Sequence, residues 1–174
     1  MIPLEYRQTG DAVMYHNTAK SKWSQKVVNT FSQKIPGDKY GYCHCGIIYH
    51  DVTKIIHATP PHAKIETLMP EKCIQMELWR CEKLTVEQRA TIASNMEKIL
   101  YKGNGEPRKY DWLAIISFAH IQNSYKLHCA ESVGVAIRDS GGNVFPKYMI
   151  ASVLQPNQII LSGYMKLIYR EEVK

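Results

Sequence analysis

Between residues 42 and 81 the chain alternates between short apolar segments and turn-forming residues, a pattern that is typical of consecutive strands. The breaks fall at Asp51-Val52 and at Pro60-Pro61. The apolar segments have the length of strands, and they cover about residues 42–50, 54–59, 63–68 and 73–81. The pattern predicts three or four strands in a small antiparallel sheet.

Segments with helical spacing flank these strands. The predicted helices cover about residues 19–33, 85–101, 110–118 and 129–138. Thr85 is the predicted N-cap of the second helix, because Gln88 stands at the capping-box position. Further strands are predicted at 12–15 and 164–169, and a short segment at 147–154. This order predicts an α+β protein, with one domain over residues 1–174 and the sheet packed on helices.

The bulk composition sets limits on the location and partners. A chain of 174 residues suits one domain with a substantial core. No stretch approaches the ~20 apolar residues of a membrane-spanning helix, and no export signal is seen, so we expect no transmembrane segment and a cytoplasmic location. The net charge is +6, but the basic residues lack interleaved aromatics. This favours a solvated basic surface over a nucleic-acid site, with an acidic partner as the alternative.

The five cysteines are an odd number, so at least one has no disulfide partner within the chain. A reduced compartment is the default without an export signal. A metal site is one interpretation of Cys43, Cys45, Cys73 and Cys81 with nearby histidines. Their spacing is not that of structural zinc sites, so we expect neither a metal nor another cofactor. We expect Cys43 and Cys45 to fill the strand face opposite His44.

Cys129 stands directly before an apolar helical stripe and follows His128. The unpaired N–H groups and the dipole of a helix N-terminus favour a thiolate, and the same N–H groups are suited to an oxyanion. The alternative is a buried, inert cysteine, which is the usual state of a free cysteine. The position makes Cys129 the candidate nucleophile.

His44 lies on the predicted strand 42–50, where alternation places it on the same face as Gly46. A histidine brought by a strand to a cysteine at a helix N-terminus is the arrangement that a thiol nucleophile needs. Gly46 is expected to leave space beside His44 for a substrate or the thiol. Taken alone, His44 is better explained as a core or edge histidine with a satisfied hydrogen bond than as a catalytic base.

His57 is the candidate for orienting His44, because a catalytic imidazole needs a partner on its second nitrogen. A hairpin with a two-residue loop at Asp51-Val52 places Gly46 opposite His57. His44 is then the diagonal neighbour of His57, and the Cβ atoms of such a pair lie ~7–8 Å apart. A one-residue slip would move His57 to the other face, whereas a four-residue loop would keep the face but separate the two histidines. Asp-Val is a poor pair for the tightest hairpin turn.

Taken together, these segments resemble the permuted branch of the NlpC-type, papain-like cysteine peptidase superfamily, and within it the YiiX/YebB-like group. The resemblance spans about residues 9–140 and lies in the order of five motifs rather than in any one. The matching segments are Gly10-Asp11-Ala12-Val13, His44-Cys45-Gly46-Ile47, Ile56-His57-Ala58, Tyr110-Asp111-Trp112 and Cys129-Ala130-Glu131-Ser132-Val133. Two departures matter: Cys43 stands where the group often has serine, and the third catalytic position varies among its members.

The resemblance implies a circularly permuted papain-like fold with Cys129 as nucleophile, His44 as base and His57 as the polar third member. It also implies that Tyr110 lines the substrate pocket. Glu131 is expected to support the site by stabilising the start of the helix. Related families cleave peptide amides or move acyl chains, both through a thioester. We therefore expect a cysteine-dependent hydrolase of an amide or ester, with peptidase or amidase ahead of lipid acyltransferase or deacylase. The rival is a non-enzymatic binding module that uses the basic surface.

Overall fold

The computed structural model describes residues 1–18, 41–69, 74–111, 128–142, 144 and 154–171. Within these ranges the chain forms a six-stranded antiparallel sheet with three α-helices and a short 3-10 helix, Leu4–Tyr6. The predicted α+β class is confirmed. The helix predicted over 19–33 lies outside the described residues, as do almost all of the segments predicted over 110–118 and 147–154.

The sheet contains all the strands that the sequence pattern predicts. The strands are β1 (Ala12–Asn17), β2 (Tyr42–Ile48), β3 (Lys54–His57), β4 (Lys64–Thr67), β5 (Ile74–Arg80) and β6 (Lys166–Arg170). Their order across the sheet is β4-β3-β2-β1-β5-β6, and every neighbouring pair is antiparallel. The strand near the N-terminus, β1, therefore lies at the centre, and β2 lies between it and the short β3.

The helices are α1 (Val86–Leu100), α2 (Cys129–Asp139) and α3 (Pro156–Leu161). Thr85 is the N-cap of α1, and its side chain and that of Gln88 form the predicted capping box. After α2 the chain turns at Gly141, whose φ of 95° favours glycine. No helix among the described residues is long and apolar enough to cross a bilayer.

The two faces of the sheet bury different clusters. α2 packs against β2 and α1, and the larger cluster combines helix residues such as Ile92, Met96 and Val133 with strand residues such as Cys45 and Ile47. The smaller cluster lies on strands and the N-terminal segment; it consists of Ile2, Val13, Tyr15, Cys43, Ile48, Ile55, Leu68, Met76 and Leu78. The N-terminus of α2 is thereby brought to β2, the strand that carries His44.

A β-bulge divides the two cysteines that flank His44. Tyr15 of β1 pairs with His44, whereas the next residue, His16, pairs with Tyr42, so Cys43 is the extra residue of β2. Cys45 lies in the cluster on the helix side, and Cys43 lies in the other cluster. The prediction that both cysteines fill one face was wrong, because simple alternation fails across a bulge.

The Gly10-Asp11 pair joins the sheet to the N-terminal segment. Asp11 is fully buried, and its carboxylate accepts hydrogen bonds of 2.8 and 2.7 Å from Nε and Nη2 of Arg80. It also accepts a hydrogen bond of 2.9 Å from the Gln8 N–H. A bidentate guanidinium–carboxylate pair is the geometry in which a buried charge is best compensated.

Replacement of Asp11 by alanine is expected to lower the free energy of unfolding by about 3–5 kcal/mol, because it leaves Arg80 without its buried partner. Urea denaturation measures this change. The matched control is Asp139→Ala, since Asp139 pairs with Arg138 on the surface and its side chain is 44% exposed. The control should lose less than about 1 kcal/mol, and equal losses in the two variants would contradict this account of Asp11.

Candidate active site

Cys129 is the first residue of α2, and its backbone lies where the helix has unpaired N–H groups. His128 is the N-cap, and its Nδ1 accepts a hydrogen bond of 3.3 Å from the Glu131 N–H. Histidine is not a usual N-cap residue, so this role of His128 was not evident from the sequence. The Cys129 side chain is buried at the junction of α2 and β2. The predicted position of Cys129 at a helix N-terminus is confirmed.

The pKa of the Cys129 thiol is held well below its usual value. The largest cause is a hydrogen bond from the Cys45 thiol, while burial acts in the opposite direction. The charge of His44 and hydrogen bonds from His128 and His44 lower the pKa further. Burial and the neighbouring Cys129 raise the pKa of Cys45, so Cys45 stays protonated and donates. These contacts favour a thiolate at Cys129.

The two histidines form a hydrogen-bonded pair. Ile47 pairs with Ile56 and Ile48 with Ile55, which is the register that places Gly46 opposite His57. His44 Nε2 lies 2.8 Å from His57 Nδ1, so the predicted proximity of the two side chains is confirmed. His57 is 5% exposed, whereas His44 is only partly buried.

The hairpin turn has four residues instead of the predicted two, although the register is retained. The expectation that a four-residue loop would separate the histidines was wrong, because His44 Nε2 still lies 2.8 Å from His57 Nδ1. The Tyr49 N–H donates to Lys54 O, which leaves the four residues His50–Thr53 in the turn. The Asp51 carboxylate accepts hydrogen bonds from the backbone N–H and hydroxyl of Thr53. This local side-chain bonding stabilises a longer turn, which Asp-Val suits better than the tightest one.

His57 is uncharged near neutral pH. Its pKa is lowered to about 3, first because burial disfavours the imidazolium and second because His44 lies beside it. Lys64, its partner on β4, lowers the pKa further, while Cys129 acts in the opposite direction. His57 Nε2 lies 2.9 Å from Oε1 of Glu66. A neutral His57 can therefore accept a hydrogen bond at one nitrogen and donate at the other.

The remaining predicted residues lie around the same sulfur or support it. The Tyr110 hydroxyl lies 4.0 Å from Cys129 Sγ, and burial raises the pKa of Tyr110, so it stays a donor. The Glu131 carboxylate lies 3.8 Å from His128 Nε2, and burial raises its pKa. Glu131 thus acts at the helix start through His128, and the structure gives no direct contact between its carboxylate and Cys129.

Gly46 does not leave the free space that the sequence suggested. An ideal Cβ at Gly46 would lie 2.8 Å from His57 Cβ and 2.7 Å from Ile55 Cδ1. Side chains of β3 already occupy this volume, so a substrate would find no room there. The lack of a side chain at Gly46 instead lets His57 lie close to β2, within reach of His44.

Replacement of Gly46 by alanine is expected to push His57 away from β2 and to cost about 1–3 kcal/mol of folding free energy. It should also slow the alkylation of Cys129, because His44 loses its partner. The control is Gly103→Ala, since nothing lies within 4 Å of a Cβ added at Gly103. Thermal unfolding and mass-mapped labelling measure both effects, and a Gly46→Ala protein indistinguishable from the control would refute this role.

Three residues near the site were missed or misassigned from the sequence. Glu66 faces His57, Cys45 contacts Cys129, and His128 caps α2. The alternation of Lys64 and Glu66 along β4 was the available signal for Glu66, but its use requires the register between β3 and β4. Within the described ranges no three His, Cys, Asp or Glu side chains are arranged to hold a metal ion, and Cys73 lies outside those ranges.

No protein-family model matches the chain, and a search of curated proteins finds no relative. The site consists of a sulfur at a helix N-terminus, an imidazole beside it, and a second imidazole that is hydrogen-bonded to the first.

Proposed function

We propose that this protein is a cysteine-dependent hydrolase that cleaves an amide or ester bond through a thioester, with Cys129, His44 and His57 as its catalytic residues. The observation that carries the proposal is the contact of His44 with both Cys129 and His57 at the N-terminus of α2. A thiol, a base and a residue that orients the base are the parts of a nucleophilic triad.

The first half of the reaction acylates Cys129. The thiolate attacks the substrate carbonyl carbon, and a tetrahedral intermediate with a negatively charged oxygen forms. The backbone N–H groups at the start of α2 and the Tyr110 hydroxyl are the nearby donors for this oxygen. His44, which holds the thiol proton, donates it to the leaving amine or alcohol as the carbon–heteroatom bond breaks. The product that remains is a thioester on Cys129.

The second half of the reaction regenerates the enzyme. A water molecule loses a proton to the now neutral His44 and attacks the thioester carbonyl carbon. The carbon–sulfur bond breaks, the acid product leaves, and Cys129 returns to the thiolate paired with the protonated His44. The reaction needs no redox partner, because no atom changes oxidation state.

Two more specific proposals for this hydrolase concern its fold and its substrate class. We assign the chain to the permuted, papain-like architecture because the strand-borne His44 precedes the helix-borne Cys129 along the chain, and the helix packs on an antiparallel sheet. A peptide or other amide is the favoured substrate class. A thiolate paired with an imidazolium suits amides, since His44 can protonate a poor leaving amine.

The experiment that tests the proposal is the trapping of the acyl-enzyme. A p-nitrophenyl ester and a peptide p-nitroanilide are offered to the protein, and acid-quenched samples are mapped by mass spectrometry. We expect an acyl adduct on the peptide that contains Cys129, and none in Cys129→Ala. Cys81→Ala is the control, because Cys81 is also buried and its pKa is raised by burial.

The outcomes separate the proposed hydrolase from its rivals. An adduct on Cys129 that decays in water supports the hydrolase. An adduct that decays only when an amine or lysolipid is added identifies an acyltransferase of the same chemistry. No adduct with any ester or amide, from a folded protein, refutes the enzyme and favours a binding module.

A further inference from the structure

Glu66 lies at the far end of the line of hydrogen bonds that begins at Cys129. His57 Nδ1 lies 2.8 Å from His44 Nε2, and His57 Nε2 lies 2.9 Å from Glu66 Oε1. The His57 side chain is 7% exposed and that of Glu66 is 48% exposed. One buried imidazole therefore joins His44 to a carboxylate that reaches the solvent.

The carboxylate determines where the protons lie along this line. A carboxylate can only accept hydrogen bonds, so the proton of a neutral His57 is on Nε2, where it donates to Glu66. Nδ1 of His57 then has a free lone pair, and it accepts the proton of His44 Nε2–H. With Nε2 of His44 engaged in this way, Nδ1 is the nitrogen of His44 that remains for the Cys129 sulfur.

We propose that Glu66 is a positioning residue of the active site, which acts through His57 to select the His44 tautomer whose Nδ1 takes the Cys129 proton. Its importance for the reaction rests on the proposed function, but the order of the hydrogen bonds does not. Glu66 touches neither Cys129 nor the substrate position in this scheme, and it acts only through two imidazoles.

The register of β3 and β4 is what brings Glu66 to His57. His57 pairs with Lys64 and Ile55 pairs with Glu66, so Glu66 is the diagonal neighbour of His57 on the same face. The charged or titratable groups that act on His57 are thus His44, Cys129 and the two β4 residues, Lys64 and Glu66. Of these, Glu66 is the one that fixes the His57 proton on Nε2.

The decisive variant is Glu66→Gln, which keeps the size of the side chain and adds an N–H donor. A glutamine amide can donate to His57 Nε2, which moves the His57 proton to Nδ1. His44 Nε2 must then accept, and the His44 proton lies on Nδ1, where it blocks proton transfer from Cys129. The comparable exchange in a serine protease triad costs about 10⁴-fold in rate. We expect the hydrolysis rate of Glu66→Gln to fall by a smaller factor, roughly 10- to 100-fold. Glu66 is separated from the base by one more imidazole than the triad aspartate is, and its side chain is about half exposed.

Two readouts test the role of Glu66. Nitrogen-15 NMR of histidine-labelled protein reports the tautomer of each ring, and we expect His57 to carry its proton on Nε2 in the wild type and on Nδ1 in Glu66→Gln. The rate of iodoacetamide labelling at Cys129 should fall in Glu66→Gln. The pH above which this rate increases should also be higher in the variant than in the wild type. Glu106→Gln is the control, because it removes a surface carboxylate that pairs with Lys102.

The possible results distinguish the two proposals. A His57 proton on Nδ1 in the wild type, or a Glu66→Gln protein with an unchanged tautomer and labelling rate, would overturn the role of Glu66. Slow labelling of Cys129 in the wild type itself would overturn the proposed function instead. Because the wild-type tautomer is measured without any variant, the proposal stays testable even if Glu66→Gln does not fold.

Discussion

Replacement of His44 by alanine is expected to lower the rate of ester or amide hydrolysis by roughly 10²- to 10⁴-fold. His44 supplies the proton to the leaving group, and its charge contributes to the low pKa of Cys129. Without His44, its charge no longer offsets the effect of burial, which raises the pKa of Cys129. A smaller fraction of Cys129 is then thiolate. Steady-state hydrolysis of a p-nitrophenyl ester measures the loss.

The pattern of the loss is as informative as its size. The variant should lose most activity near neutral pH and recover part of it at higher pH, where Cys129 ionises without help. His50→Ala is the control, since His50 is an exposed histidine of the same hairpin and bonds to Ser94. Equal activity of His44→Ala and the control would exclude His44 as the base.

The second large effect is a loss of stability in acid that depends on His57. Its pKa is about 3 in the folded protein and 6.5 in the absence of structure. Between these values the unfolded chain binds more protons than the folded chain, so the free energy of unfolding falls as the pH drops from 6.5 toward 3. At about 1.4 kcal/mol per pH unit, the fall between pH 7 and pH 4 is about 3 kcal/mol.

Urea denaturation at the two pH values tests this prediction. His57→Gln lacks the titrating ring. Between pH 7 and pH 4 its free energy of unfolding should therefore fall by about 3 kcal/mol less than that of the wild type. His50→Gln is the control, and it should keep the acid dependence of the wild type. Because other buried acids such as Asp11 remain in all three proteins, the difference isolates His57. Parallel curves for His57→Gln and the wild type would contradict the assigned shift.

The α+β class, the antiparallel sheet and the pair of histidines were predictable because they depend on local signals. Short strands bounded by turns gave the sheet, and the capping box at Thr85 gave the start of α1. The hairpin register was predicted from a two-residue loop at Asp51-Val52. The turn has four residues, but the predicted pairing of Gly46 with His57 is confirmed. Each of these predictions needed only residues that are close together in the sequence.

The other features of the site depend on contacts that the sequence does not show. The bulge at Cys43 arises between β2 and β1, about 28 residues away, so alternation within β2 could not reveal it. The role of Glu66 requires the register of a third strand. The contact of Cys45 with Cys129 depends on how α2 packs on the sheet. Tertiary packing, rather than local preference, decides all three.

The most direct test of this account is a titration of the Cys129 thiolate. Thiolate absorbance in the ultraviolet is recorded across pH for the wild type and for Cys129→Ala, and the difference belongs to Cys129. We predict that this difference is already fully developed at neutral pH and disappears only in acid, because His44 and the hydrogen bonds at the α2 N-terminus stabilise the thiolate. A difference that develops only above about pH 8.5, the ordinary thiol pKa, would contradict the assignment of Cys129 as a thiolate nucleophile.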